Sequence, residues 1–184
     1  MAKMITIIGP TACGKTAVAT QLAVRVGGEV ISADSRQVYR RMDIGTGKDL
    51  ADYEVGGRHV PYHLIDIAEP GTKYNLFQYQ HDFLKAYESI LARGAQPILC
   101  GGTGLYVEAV LRGYRLAAVP ENKELRERLE GKSLAELTEM LAELKRRNGS
   151  VMHNTTDVDT AKRAIRAIEI ETFNGENPTA GAEL

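Results

Sequence analysis

Cysteine is scarce in this chain. There are two, Cys13 and Cys100, isolated from each other in sequence and forming no metal-spaced pair, which predicts a reduced compartment and no disulfide framework. Long apolar runs are also missing. None approaches the ~20 residues that span a bilayer, and no basic n-region leads into an apolar h-region at the start, so the expected setting is the cytoplasm, away from membranes. Charge of one sign is lacking as well: 23 Lys and Arg stand against 24 Asp and Glu, a net charge of −1. The molecule is no polycation, and nucleic-acid binding would need a local basic patch. What remains is 184 residues, 43% hydrophobic and 26% charged, enough for one domain with a core, or one with a small appendage.

The first sixteen residues organise the rest. Met4-Ile5-Thr6-Ile7-Ile8 is a short β-branched run, and Gly9-Pro10-Thr11-Ala12-Cys13-Gly14-Lys15-Thr16 follows directly. The octet fits G-x-x-x-x-G-K-[ST] at each fixed position, between an apolar strand and a helix from Ala17. Gly9 and Gly14 let the backbone wrap a phosphate with its N–H groups inward. Lys15 adds a point charge, the Thr16 hydroxyl can hold Mg2+, and the helix presents its positive end. This pattern predicts binding of a di- or triphosphate.

Further strands are expected at Glu29–Ser32, Tyr62–Ile67 and Pro97–Cys100, with a hairpin at Gly56-Gly57. Helices are expected up to Val26, through Leu76–Leu91 and over Leu105–Arg112. Alternating strands and helices behind a phosphate loop indicate a parallel α/β sheet. Asp34 falls just past the second strand, at the end of the sheet where chemistry gathers; it can serve as a base, hold a metal through water, or simply cap the next turn. Lys48, in a flexible stretch, could reach an anion, a solvated loop lysine being the commoner case, and His59 and His63 read as structural or surface histidines. Gly101-Gly102-Thr103-Gly104 is a second glycine-rich turn, placing Thr103 to donate into the same site. From Pro120 to Arg147 the chain turns helical and charged, with a capping box at Ser133 to Glu136 and a stripe of Leu134, Leu137, Leu141 and Leu144. A last helix is expected from Thr156 or Asp157 to about Thr172, with Ala161, Ile165 and Ile168 inward. Lys162, Arg163 and Arg166 share another face, either solvated or gripping a phosphate backbone. The expected organisation is a P-loop core over 1–116, a small helical insert over 117–153, a helix returning to the core over 154–173, and a mobile tail over 174–184.

The chemistry narrows by what the strand ends carry. NTPases that transfer a γ-phosphate usually place an acidic residue at the end of a later apolar strand for Mg2+, whereas the fourth strand here ends Cys100-Gly101-Gly102. Asp34 and Asp66 are the carboxylates at strand ends, which disfavours a motor or switch NTPase and leaves a small-molecule transferase with Asp34 as base. A small-molecule kinase is a weaker alternative, for it lacks an arginine-rich lid.

Several separated blocks then point further. After the phosphate loop come Ala33-Asp34-Ser35-Arg36-Gln37-Val38-Tyr39, Asp43-Ile44-Gly45-Thr46-Gly47-Lys48, His63-Leu64-Ile65-Asp66, Gly101-Gly102-Thr103-Gly104-Leu105-Tyr106, and Arg163 with Arg166-Ala167-Ile168-Glu169. In this order, over roughly residues 4 to 173, they closely resemble the tRNA dimethylallyltransferases. The resemblance implies a P-loop kinase-like fold with a parallel sheet flanked by helices and a small helical insert that grips tRNA. It implies dimethylallyl diphosphate bound by Gly9 to Thr16, with Mg2+ on Thr16, and transfer of the dimethylallyl group to N6 of an adenosine beside the tRNA anticodon. Asp34 matches the family's base, Thr103 the residue on the leaving oxygen, and Lys15 the stabiliser of its charge. Ser35, Arg36 and Gln37, with Asp34, match the segment that meets the tRNA, as do Lys162, Arg163 and Arg166. The family pattern continues past Glu169 with a further core strand, channel-closing helices and another arginine, so a fragment or naturally short form with one open sheet edge is expected. Transfer to free AMP, ADP or ATP, or a non-catalytic nucleotide- or tRNA-binding module, are the alternatives.

Overall fold

The computed structural model describes residues 3–114, 116–150 and 155–179, the side chains of residues 155 and 156 apart. The chain divides into two compact units, Met1–Tyr114 and Arg115–Leu184.

In the first unit the apolar runs become strands: β1 Ile5–Ile8, β2 Gly28–Ala33, a short β3 Glu54–Val55 with β4 Arg58–His59, β5 Tyr62–His63, and β6 Gln96–Gly101. The main sheet is parallel throughout, in the order β1-β6-β2-β5. Its two central strands are the buried ones, β2 at all six positions and β6 at five, as expected of a sheet covered on both faces. Alternation along the strands sorts the core into two layers. Val30, Ile98 and Cys100 pack with Ala19 and Ala23 of helix α1, Lys15–Val26. Ile31, Ala33 and Leu99 pack on the opposite side with Tyr79, Phe83 and Ile90 of α2, Leu76–Ala92, and with Tyr106 and Val107 of α3, Gly104–Leu111. The rings of Tyr79 and Tyr106 stack at 3.8 Å between centroids, and the Tyr79 hydroxyl donates to Ser32 O at 3.2 Å.

One feature departs from the expected pattern. The third main strand stops at His63 because Leu64 and Asp66 both adopt left-handed backbone, φ 63° and 56°. The segment beyond it instead donates from Asp66, Ile67 and Ala68 N–H groups to Gln37 O and Val38 O. The Gly56-Gly57 hairpin forms, with φ of 57° and 77° and the Glu54–His59 and Val55–Arg58 pairs, as a tight two-residue turn demands.

In the second unit the charged stretch is two helices. Asn122, accepting from Leu125 N, caps α4, Lys123–Leu129; Pro120 precedes it in irregular chain. Ser133 and Glu136 exchange both capping-box bonds at the start of α5, Leu134–Asn148, and Gly149 at φ 69° closes it. The last helix, α6, runs Ala161–Glu176, capped by Thr160 through Arg163 N, so it starts and ends later than the periodicity indicated and includes residues expected in the tail. Ala164 and Ile168 are its buried apolar positions, while Ala161 is exposed. They join Leu125, Leu129, Leu137 and Leu141 in one cluster, so the helix expected to return to the P-loop core packs with α4 and α5. Residues 151–154 of the expected insert and 180–184 of the expected tail lie outside the described residues.

Candidate active site

The phosphate loop takes its shape from two left-handed residues. Gly14 at φ 79° forms the N-cap of α1, and Ala12 adopts φ 60°, alternation that turns successive N–H groups inward as an anion nest. A Cβ at Gly9 would lie 3.1 Å from Cys13 Sγ, a tight contact that the Cys13 side chain would have to yield to. Lys15 Nζ donates back to Pro10 O at 2.5 Å, holding its charge at the loop mouth.

The ends of β2 and β6 bring the other groups to the same place. Gly101 lets β6 approach β2, since a Cβ would fall 2.3 Å from Ala33 O. Thr103 N donates to Ala33 O at 3.0 Å, and Thr103 Oγ1 accepts from Ser35 N at 3.0 Å. The two glycine-rich turns and the segment after β2 are thereby joined. Asp34 Oδ1 accepts from Arg36 N at 2.9 Å, an Asx turn that fixes the carboxylate's rotation. The expected capping role and the expected position near the phosphate loop are therefore both present. Thr11 to Thr16, Asp34 to Gln37, and Cys100 to Thr103 line one cavity of about 270 Å³. Burial pushes the Cys100 thiol up to about 11, with Lys15 opposing and Cys13 adding to the rise; Cys13 is exposed.

Thr103 differs from expectation in one respect. Its hydroxyl is engaged with Ser35, accepting from the backbone and reaching Ser35 Oγ at 3.4 Å. Gln37, matched to an RNA-contacting position, is likewise spent internally: it accepts from Ser32 Oγ at 2.8 Å and donates to Gly47 O at 2.9 Å. Arg36 is exposed at the cavity wall.

Lys48 overturns its sequence reading. Its side chain is 0% exposed, and Nζ donates to Tyr39 O at 2.7 Å, Asp43 Oδ1 at 3.1 Å and Asp66 Oδ1 at 2.5 Å. Burial alone would lower its pKa, but the bonds to Asp66 and Asp43 outweigh it and hold the ammonium above its ordinary value. Asp66, the second strand-end carboxylate, is therefore structural. The same holds for His63, whose Nε2 meets Glu29 Oε2 at 2.7 Å; Glu29 also takes a fork from Arg93 at 2.9 and 2.7 Å. His59 meets Glu54 at 2.5 Å. Among the described residues no three His, Cys, Asp or Glu converge as a metal cluster.

The three cations of α6 do not form one free face. Lys162 and Arg163 are exposed, Arg163 pairing with Asp159 at 2.9 Å. Arg166 donates to Glu169 and, at 2.9 Å, to Val119 O. Glu169 is buried and also accepts from Arg126 at 3.0 and 2.9 Å and from Asn122 N at 2.5 Å. The Arg-Ala-Ile-Glu block thus carries a structural charge cluster, which alternation of charge on a helix face does not announce.

With this geometry in place, the comparison with known proteins is direct. The family model described as IPP transferase matches residues 37–183. The chain belongs to the IPP transferase family. A second model, isopentenyl transferase, matches residues 2–62. The tRNA dimethylallyltransferase 1 of Porphyromonas gingivalis is 65% identical over 98% of this chain and 58% of the relative. The tRNA dimethylallyltransferase 2 of Bacteroides fragilis is 62% identical over the same shares. The chain spans under two thirds of the length of these curated relatives. Among solved structures, the tRNA isopentenylpyrophosphate transferase of Bacillus halodurans matches with TM-score 0.60 and 37% identity over 95% of this chain and 57% of that one. A eukaryotic dimethylallyltransferase acting on tRNA matches with TM-score 0.69 at 22% identity, over 98% of this chain and 44% of that one, which supports the fold. The parallel sheet flanked by helices is the P-loop kinase-like fold of these neighbours. No helix among the described residues is long and apolar enough to cross a membrane.

Proposed function

We propose that the site transfers a dimethylallyl group from dimethylallyl diphosphate to N6 of an adenosine next to the tRNA anticodon. The observation that carries this reading is the single cavity shared by the phosphate loop, Asp34 and Thr103, in a chain of the IPP transferase family. The diphosphate occupies the nest from Gly9 to Thr16, with Lys15 exchanging Pro10 O for a phosphate oxygen. The adenine N6 attacks the allylic carbon, the C–O bond to diphosphate breaks, and the N6 proton passes to the Asp34 carboxylate. Adenine N6 is a weak nucleophile, so a base fixed by its own turn is what the step requires. Charge grows on the leaving oxygen, where Lys15 and the Thr103 hydroxyl stabilise it; Thr103 gives up its 3.4 Å contact with Ser35 Oγ to do so.

Mg2+ fits the donor set as a guest of the diphosphate. It favours oxygen ligands and keeps water and phosphate in its shell, so the Thr16 hydroxyl with phosphate oxygens suffices and no carboxylate cage is needed. When bound, it neutralises diphosphate charge. The reaction belongs in the cytoplasm, where tRNA is found. Arg36 and Ser35 at the cavity, with Lys162 and Arg163, supply the contacts to tRNA.

The test compares prenylation of an anticodon stem-loop with that of free AMP, using labelled dimethylallyl diphosphate. The stem-loop should be the preferred acceptor. A preference for AMP would establish adenylate isopentenyl transfer instead, and transfer of phosphate from ATP would establish a kinase.

A further inference from the structure

The loop from Met42 to Lys48 carries an apolar side chain more exposed than any other large hydrophobic among the described residues. Ile44 is 99% exposed, a β-branched apolar group wholly in water. A single exposed apolar residue is ordinary on a protein surface; this one differs in how it is mounted. Thr46 Oγ1 donates to Met42 O at 2.6 Å across the loop tip. Gly45 and Gly47 supply the left-handed turns, φ 77° and 66°, Gln37 holds Gly47 O, and buried Lys48 anchors the C-terminal foot. Ile44 therefore projects from a braced loop, and Thr46 and Gly47, two and three residues on, line the cavity with Asp34.

The surrounding charge is mixed: Asp43, next to Ile44, pairs with buried Lys48, and basic groups lie a few residues before it. Arg36 is exposed at the cavity, and Arg40 and Arg41 share the one carboxylate of Glu69 at 3.3 and 2.9 Å, which leaves that trio with a net positive charge.

We propose that Ile44 is an apolar wedge that enters the base stack of an RNA loop beside the target adenosine and holds it open. The inference rests on the function proposed above and names how its acceptor is recognised. An adenine must leave its stack before N6 can reach Asp34, and an inserted apolar side chain compensates the lost stacking. Free AMP has no stack to open. The wedge therefore favours a structured RNA loop over a free nucleotide.

The experiment uses an anticodon stem-loop with 2-aminopurine beside the target adenosine, and a short linear oligonucleotide of the loop sequence. Binding by the wild-type chain should raise 2-aminopurine fluorescence. Ile44→Ala, at an exposed position that does not threaten the fold, should bind the stem-loop about tenfold more weakly, the effect of losing one buried aliphatic group, and abolish the fluorescence rise. Ile44→Leu should restore both, and the linear oligonucleotide should discriminate much less between the variants. Equal stem-loop binding and fluorescence for wild type and Ile44→Ala would overturn the wedge, as would an equal loss on both RNAs. A wild-type chain that binds dimethylallyl diphosphate but no stem-loop would overturn the proposed acceptor, and the wedge with it.

Discussion

Asp34 follows the last residue of β2, and one backbone N–H, from Arg36, fixes its carboxylate. If it is the base, Asp34→Asn keeps the turn and removes proton acceptance, so turnover should fall about 10²–10⁴-fold while diphosphate affinity stays nearly unchanged. Single-turnover kinetics beside calorimetric binding separates the two; equal losses in both would make Asp34 a binding residue. The cysteines give an independent probe of the loop. Exposed Cys13 should react quickly with iodoacetamide and buried Cys100 only on unfolding, and dimethylallyl diphosphate should protect Cys13 if it occupies Thr11 to Thr16. Mass spectrometry of the labelled peptides reads this, and labelling of Cys13 indifferent to diphosphate would place the anion elsewhere. Gly101 tests the strand junction: Gly101→Ala puts a Cβ 2.3 Å from Ala33 O, and urea unfolding should show a loss of about 1–3 kcal/mol. At this scale the sequence was most legible where chemistry and spacing coincide, as at Gly9, Gly14, Lys15 and Asp34. It was least legible at Lys48, whose partners lie five, nine and eighteen residues away, and at Arg166, whose neighbour Glu169 is buried without an apolar pattern to mark it.

The element that most shapes the candidate site is the braced loop between β2 and β3. Its stability rests on Lys48, so Lys48→Met leaves Tyr39 O and Asp66 without their donor and should cost about 1–3 kcal/mol. In the proposed reaction it should raise the KM for RNA more than that for dimethylallyl diphosphate, with Lys48→Arg restoring part of the loss. Equal rises in both KM values would show general unfolding of the cavity. Neither this bracing nor the early end of β5 could be read from local pattern, because Leu64 and Asp66 take left-handed backbone with no glycine to signal it. The capping box at Ser133 and the Gly56-Gly57 hairpin were legible for the opposite reason: each is settled by residues within a few positions of one another.

On the scale of the whole molecule, each unit holds a carboxylate that arginines keep ionised, Glu29 in the first and Glu169 in the second. Hydrogen bonds from Arg93 dominate at Glu29, and with His63 they overcome burial to keep its pKa below the ordinary 4.5. Burial opposes ionisation at Glu169, but Arg126, Asn122 N–H and Arg166 together win, again holding it below 4.5. A carboxylate depressed in the folded state contributes stability that is fully present above its unfolded pKa and lost as pH falls through its folded one. Acid should therefore destabilise the chain progressively from about pH 4.5 downward, and Glu29→Gln should flatten that dependence while lowering stability at neutral pH. Thermal unfolding across pH 3–7 checks both, and an acid slope unchanged in the variant would assign the effect elsewhere. The layered sheet was readable from alternating strands and helices, whereas the packing of α6 with α4 and α5 depends on which face is buried, and periodicity had placed exposed Ala161 there.

The central claim is that the anion in the opening loop is an allylic diphosphate set against Asp34. A crystal structure with dimethylallyl S-thiolodiphosphate, in which sulfur replaces the scissile oxygen, tests this most directly. Its phosphates should lie within Thr11 to Thr16 and its allylic carbon should face the space beside the Asp34 carboxylate. Phosphates bound outside that loop, or an allylic group turned away from Asp34, would contradict it.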